Sequence, residues 1–237
     1  MRIIIAGGHG KIALKLAARL TSGPVGDTAE ATVGSAVGSA LRSTVGSAVG
    51  LVRNPAHVAD VAAAGAEAVV CDLESAGVEE VARIVEGADA VVFAAGAGPG
   101  SGVARKDTVD RAASVLLADA AERAGVRRFV QISSMGAGRP PVPGRDAVWA
   151  AYITAKTEAE DDLRARDLDW TILRPGRLTD EPGTGLVRLA AEVPPGSVPR
   201  DDVAAVIVAL LGDPGTAGRT LELVSGDTPI ADAVATG

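Results

Sequence analysis

The single tyrosine of the chain, Tyr152, is followed four residues later by Lys156, in the stretch AYITAKTEAE. On a helix that spacing puts both side chains on one face. An ammonium so placed stabilises a phenolate and draws the phenol pKa down from about 10 toward neutrality. Such a tyrosine is suited to exchanging a proton with a carbonyl or hydroxyl oxygen. Two hydroxyls, Ser133 and Ser134 in FVQISSMGAG, precede the pair, and Ser134 is expected to hydrogen-bond the same oxygen. The chain holds only four lysines, so a chance register with its only tyrosine is uncommon. The competing reading, a pair with a purely structural role, stays open on these residues alone.

The elements that must position these groups follow from the alternation of short apolar runs with amphipathic stretches, the pattern of a parallel sheet flanked by helices. Strands are expected at Ile3–Ala6, Val49–Val52, Ala68–Cys71, Ala90–Ala94, Arg128–Ile132, Trp170–Leu173 and Thr220–Val224. Helices are expected at Ile12–Leu20, Ala56–Ala64, Val78–Val85, Thr108–Ala124, Ala150–Ala165 and Val203–Leu211, the last with Asp201 or Asp202 as N-cap. Serines 133 and 134 then fall at the carboxyl edge of the sheet, where open α/β sheets bind ligands. Tyr152 opens the helix that follows. The Gly/Ser/Ala-rich stretch from Thr21 to Ala48 reads as an insertion before the second strand, with VGSAVG starting at Val33 and again at Val45. Because the repeat duplicates the beginning of that strand, its register is open to a slip.

The first strand runs into GGHGKIA. Gly7, Gly8 and Gly10 suit a tight strand-to-helix turn whose backbone approaches a pyrophosphate, and Ala13 keeps the helix close to the sheet. His9, Lys11 and Ile12 lie in the same turn, where free N–H groups and the positive helix end face a phosphate. After the second strand, GLVRNPAH presents Arg53 and His57 in place of the acid that usually holds a ribose 2′-hydroxyl. A guanidinium suits a 2′-phosphate, so NADP is the expected cofactor, NADPH being preferred over NADH. Asp72 and Leu73 after the third strand are expected beside the adenine. Ala94, Ala95 and Gly96, from FAAGAG, are expected under the sugar and phosphates. LRPGRL, with Pro175, Gly176, Arg177 and Leu178, is expected to turn the chain over the nicotinamide end, Lys156 to hold the nicotinamide ribose, and Ser133 to be a further cofactor contact.

At 237 residues the chain has room for one sizeable α/β domain. With 47% apolar but only 2% aromatic residues, its core must be filled by aliphatic side chains. The net charge of −7 lacks the basic excess that neutralises nucleic-acid phosphates. One cysteine, Cys71, excludes a disulfide framework and fits a reducing cytoplasm. No apolar run approaches the roughly 20 residues a membrane span needs. Two histidines, both drawn to the nucleotide site, leave none for a metal centre or a Ser-His-Asp arrangement. The expected partner is a small-molecule substrate, with the chain a monomer or homodimer.

Taken together and in this order, GGHGKIA, LVRNP, CDL, RRFVQISS, YITAK and TILRPGRLTDEPG resemble the atypical branch of the short-chain dehydrogenase/reductase superfamily. That branch is NmrA-like and is often labelled NAD(P)-binding or NAD-dependent epimerase/dehydratase. The resemblance covers nearly the whole chain except the insertion. It implies a Rossmann-type doubly wound fold with a short C-terminal substrate region and a nicotinamide along the carboxyl edge. Flavin reductases of the biliverdin-reductase-B kind share the arginine-plus-basic pattern that falls on Arg53 and His57. One departure stands out: the asparagine of the superfamily's proton relay is absent, and Asp107 and Asp110 occupy the corresponding helix.

Three function classes follow. One is an NADPH-dependent reductase of a small carbonyl, quinone or flavin-like acceptor. The second is an NAD(P)-binding redox sensor without turnover, and the third a sugar epimerase or dehydratase. Arg53 and the small C-terminal region count against the third. Segments 138–149, proline-rich, and 177–199 are expected to line the acceptor within a single domain covering residues 1–237.

Overall fold

The computed structural model describes residues 1–22, 46–98, 100–140 and 146–237. The first strand, β1 (Arg2–Ala6), shows why a parallel sheet forms: Ile3, Ile4 and Ile5 are fully buried, with apolar layers on both faces. Ile3 and Ile5 enter one layer and Ile4 the other, as the period of two demands.

Strands β2 (Ser47–Val52), β3 (Glu67–Val70), β4 (Ala90–Phe93), β5 (Arg128–Ile132), β6 (Asp169–Pro175) and β10 (Arg219–Ser225) match the seven expected runs once β1 is counted. They stand in the order β10-β6-β5-β4-β1-β2-β3, every pair parallel. Helices α1 (Lys11–Thr21), α2 (Val58–Ala63) and α7 (Arg200–Gly212) pack on one face. On the other lie α3 (Val78–Val85), α5 (Ala113–Arg123) and α6 (Ala147–Arg164). This is a Rossmann-type α/β fold. Its strand order reverses between β1 and β4, where Ala6 pairs with both Leu51 and Phe93, so a crevice opens at their carboxyl ends.

Several elements differ from expectation. The expected helix Thr108–Ala124 begins earlier, with α4 (Val103–Arg105), and passes through a π-helical stretch, Lys106–Ala112, before α5. Helix α6 starts at Ala147 because the Asp146 carboxylate accepts from Val148 N–H. Helix α7 starts at Arg200 with Pro199 as N-cap, so neither Asp201 nor Asp202 caps it. Asp202 is instead drawn to the backbone N–H groups of Thr184 and Gly185, and Asp201 to Arg19.

The C-terminal region adds strands the sequence did not announce: β7 (Arg177–Thr179) pairs with β9 (Ser197–Pro199), and β8 (Leu186–Ala190) runs antiparallel to β10 and β11 (Thr228–Pro229). Helix α8 (Ile230–Thr236) closes the chain. Of the expected insertion, residues 23–45 lie outside the described residues. Its margins join α1 and β2, where Gly46 N–H donates to Leu20 O and Ser47 pairs with Arg2. Among the described residues no helix is long and apolar enough to cross a membrane.

Candidate functional site

The turn after β1 is built on contacts that exclude side chains. Gly7 has φ +77°, and a Cβ there would lie 2.6 Å from Ala95 Cα in the loop after β4. A Cβ on Gly8 would lie 2.6 Å from Gly50 Cα in β2. Gly8 N–H donates to Leu51 O at 2.9 Å, and Gly10 N–H to Gly7 O at 2.8 Å. Gly10 caps α1 without a side-chain hydrogen bond, so the first N–H groups of the helix, at Lys11, Ile12 and Ala13, have no side-chain cap. Gly50 is the counterpart of Gly8 that sequence reasoning missed; only the pairing of β1 with β2 brings them together.

Around this turn the expected contacts separate into groups. His57 does not join Arg53: its ring stacks on His9, centroids 3.6 Å apart, and His9 Nε2 lies 2.8 Å from Asp60 Oδ2. Arg53 turns to Glu74, 2.6 Å away. Lys11 pairs with Asp180 at 2.5 Å, and Asp180 with Arg200 at 2.7 Å, which links the start of α1 to the segment after β7. Those ion pairs hold the Asp180 carboxyl below its ordinary range, the Lys11 hydrogen bond being the largest cause. Asp72 orders the loop after β3 by accepting Glu74 N–H, and Leu73 packs against the core layer behind it. Ala94 N–H bonds Ala6 O at 3.0 Å, at the start of the loop after β4 that also holds Ala95 and Gly96. In the last turn, Pro175 O accepts Met135 N–H, Arg177 N–H donates to Gly196 O, and Leu178 packs against the core. Gly176 sits so close to the Gly196 carbonyl that no side chain fits.

The second group centres on α6. Lys156 is buried; its Nζ donates to Ile132 O at 3.1 Å and lies 3.3 Å from Asp110 Oδ1 on the π-helical stretch. It also faces the Tyr152 ring, 5.9 Å from the centroid, while Lys106 Nζ faces that ring at 5.2 Å. Lys106 is anchored by donating to Gly98 O at 3.0 Å. Two ammonium groups thus face the Tyr152 ring, with Trp149 tilted against it at 5.4 Å. Asp110 is buried, accepts Ala97 N–H through Oδ2, and keeps Oδ1 without an aligned hydrogen bond. Ser133 is buried with its Oγ unpartnered, and half-buried Ser134 makes only a 3.4 Å contact to Met135 O. Lys106 and Asp110 are thus additions to the residues expected. Their i,i+4 spacing was visible, but the π-helical geometry that aims them at α6 was not.

A glycine turn that admits backbone only, an open helix N-terminus and a buried hydroxyl with no partner are what a dinucleotide's pyrophosphate and ribose require, so the residues present fit such a cofactor. A family model described as NAD(P)H-binding matches residues 28–214, and the chain belongs to that family of NAD(P)H-binding proteins. Among its relatives is the uncharacterized sugar epimerase YhfK of Bacillus subtilis, 37% identical over 153 residues, covering 65% of this chain and 71% of that protein. A putative NAD-dependent epimerase/dehydratase from Bacillus halodurans superposes over the full length of both chains with a TM-score of 0.84 and 32% identity. The oxidoreductase ylbE from Lactococcus lactis superposes with a TM-score of 0.79 and 28% identity, covering 100% of this chain and 96% of that one. The atypical short-chain dehydrogenase/reductase resemblance and the Rossmann-type fold are both met by these relatives.

Proposed function

We propose that this protein is an NADPH-dependent oxidoreductase that reduces a small carbonyl, quinone or flavin-like acceptor. The observation that carries the reading is that Lys106 and Lys156 both face the Tyr152 ring, while Lys156 also donates to Ile132 O, the residue that precedes Ser133 at the carboxyl end of β5. A bound nicotinamide supplies the hydride. Gly7, Gly8, Gly10 and the N-terminus of α1 hold the pyrophosphate, and Arg53 the 2′-phosphate. Ser133 and Lys156 hold the nicotinamide ribose, and the turn from Pro175 to Leu178 covers the ring. Tyr152 gives a proton to the acceptor oxygen, which Ser134 orients.

The whole chain forms one domain in this reading, with the acceptor between segments 138–149 and 177–199. Residues 141–145 of the first segment lie outside the described residues. Arg139 supports the arrangement by reaching Glu192 at 3.5 Å and Glu222 at 3.4 Å, joining the two segments. A second reading, a redox sensor without turnover, draws on Asp110: its carboxylate, 3.3 Å from Lys156, already engages the ammonium that the proton-transfer reading calls on. Oxidation of NADPH against a panel of quinones, flavins and small ketones decides between them. Turnover of at least one acceptor supports the reductase. Tight NADPH binding with no turnover across the panel supports the sensor.

A further inference from the structure

Glu74 belongs to no motif in the sequence and takes no part in the proposed reaction, yet three elements converge on it. Arg53 Nη1, from the end of β2, donates to its Oε2 at 2.6 Å. Arg105 Nη2, from α4, donates to the same oxygen at 2.7 Å, and Thr108 Oγ1 to Oε1 at 2.7 Å. Two guanidinium groups and a hydroxyl gathered on one small anion make the donor set that recognises a phosphate monoester. The site is reachable, because the Arg53 and Arg105 side chains are 53% and 41% exposed. The carboxyl is held below its ordinary range, first by the Thr108 hydrogen bond and then by Arg105, as expected where the surroundings favour an anion.

Resting on the reading of this chain as an NADPH-binding protein, we propose that Arg53, Arg105 and Thr108 form the seat of the adenosine 2′-phosphate. Glu74 is its internal occupant, displaced when the phosphate binds. With Glu74 in place the two arginines present one net positive charge, and its carboxylate repels the incoming phosphate. With Glu74 turned out they present two, matching the dianion. The exchange needs no rearrangement of the loop. Glu74 N–H is fixed on Asp72 Oδ1, and Ser75 and Ala76 N–H on Asp72 O, so the side chain can rotate on a backbone that stays put. NADH carries a hydroxyl where NADPH carries the phosphate, gains nothing by the displacement, and leaves Glu74 paired. Glu74 therefore sets how strongly the site discriminates, and Arg105 is a specificity-determining residue.

Calorimetric titration of the full chain with NADPH, NADH and adenosine 2′,5′-bisphosphate tests this on wild type, Arg53→Ala, Glu74→Gln, Arg105→Ala and Thr108→Val. Glu74→Gln is expected to tighten NADPH and the bisphosphate about tenfold and leave NADH unchanged. Arg105→Ala is expected to weaken the first two by a similar factor, again sparing NADH, with Thr108→Val weaker in the same direction. If Arg53→Ala alone impairs NADPH binding, Glu74 and Arg105 only tie the loops together; the seat is overturned while NADPH binding stands. A parallel change of NADPH and NADH in Glu74→Gln overturns it as well, by assigning Glu74 to the adenine pocket. Equal affinity of wild type for NADPH and NADH, unaltered in Arg53→Ala, overturns the NADPH reading itself. Circular dichroism of each variant confirms folding. Should Glu74→Gln fail to fold, Arg105→Ala and Thr108→Val carry the decision.

Discussion

At the scale of single residues, Tyr152, Lys156 and Ser134 occupy three different environments, and those environments predict three different outcomes. Tyr152 is half-buried with two cations facing its ring, so Tyr152→Phe removes a proton without removing a packing partner. Turnover of an identified acceptor is expected to fall by about 10²- to 10⁴-fold with NADPH affinity retained. Lys156 is buried on Ile132 O and against Asp110, so Lys156→Ala leaves the Asp110 carboxylate buried without its charge partner. Both turnover and cofactor affinity are expected to fall in that variant. Ser134, held by one long contact, is expected to resemble the tyrosine variant with a smaller loss. Steady-state kinetics beside calorimetry on the same preparations checks the pattern. Wild-type turnover by Tyr152→Phe would leave the proton to solvent. The deficits are not additive where groups act as a unit.

Among elements, α6 carries the tyrosine and lysine, and its seat on the sheet is secured by Glu160. That carboxylate is fully buried and accepts from Arg174 of β6 and Arg164 of its own helix. Glu160→Ala strands Arg174, so a loss of roughly 3–5 kcal/mol is expected. For a chain of this size each kcal/mol shifts Tm by about 2–4 °C, a displacement a thermal melt resolves readily. The connection between α1 and β2 predicts the opposite result. Gly46 N–H on Leu20 O holds the ends of that connection a hydrogen bond apart, so a turn of a few residues can join them. Replacing residues 23–45 by such a turn is expected to leave Tm within a few degrees, since loop closure depends only weakly on length. A larger fall would mean that the segment contributes packing.

Across the whole molecule, many acidic groups are engaged by surface cations, which fixes the direction of its pH dependence. Glu74, Asp107, Asp167 and Asp180 all have pKa values lowered below the ordinary 4.5 or 3.8, first by side-chain hydrogen bonds from Thr108, Arg111, Arg127 and Lys11 respectively. A folded-state value below the unfolded one means the unfolded chain takes up protons first as pH falls. Their contribution is therefore complete at neutral pH and is lost as pH drops through those ordinary values toward the lower folded ones. Urea midpoints are expected to be level between about pH 6 and 8 and to decline below about pH 5. The decline should flatten at high salt, because these groups lie at the surface. A midpoint that rises on acidification would contradict the assignment.

What the sequence determined by itself was whatever depends on neighbours along the chain. Seven parallel strands, the helices between them, the glycine turn and the Tyr152–Lys156 register all follow from periodicity and turn chemistry within about ten residues, and all are present in the fold. The strand β8 escaped because LVRLA is made largely of helix-favouring residues, and only pairing with β10 and β11 makes it a strand. The side-chain partners escaped for the same reason. Arg53 meets Glu74 across 21 positions, Thr108 meets Glu74 across 34, and Lys11 meets Asp180 across 169. His9 and His57 were each placed near a phosphate, yet stacking takes them to one another. Short-range pattern fixes where a charged residue leaves the sheet. Which opposite charge it then finds depends on how the strand ends line up at the crevice, and only the tertiary structure decides that.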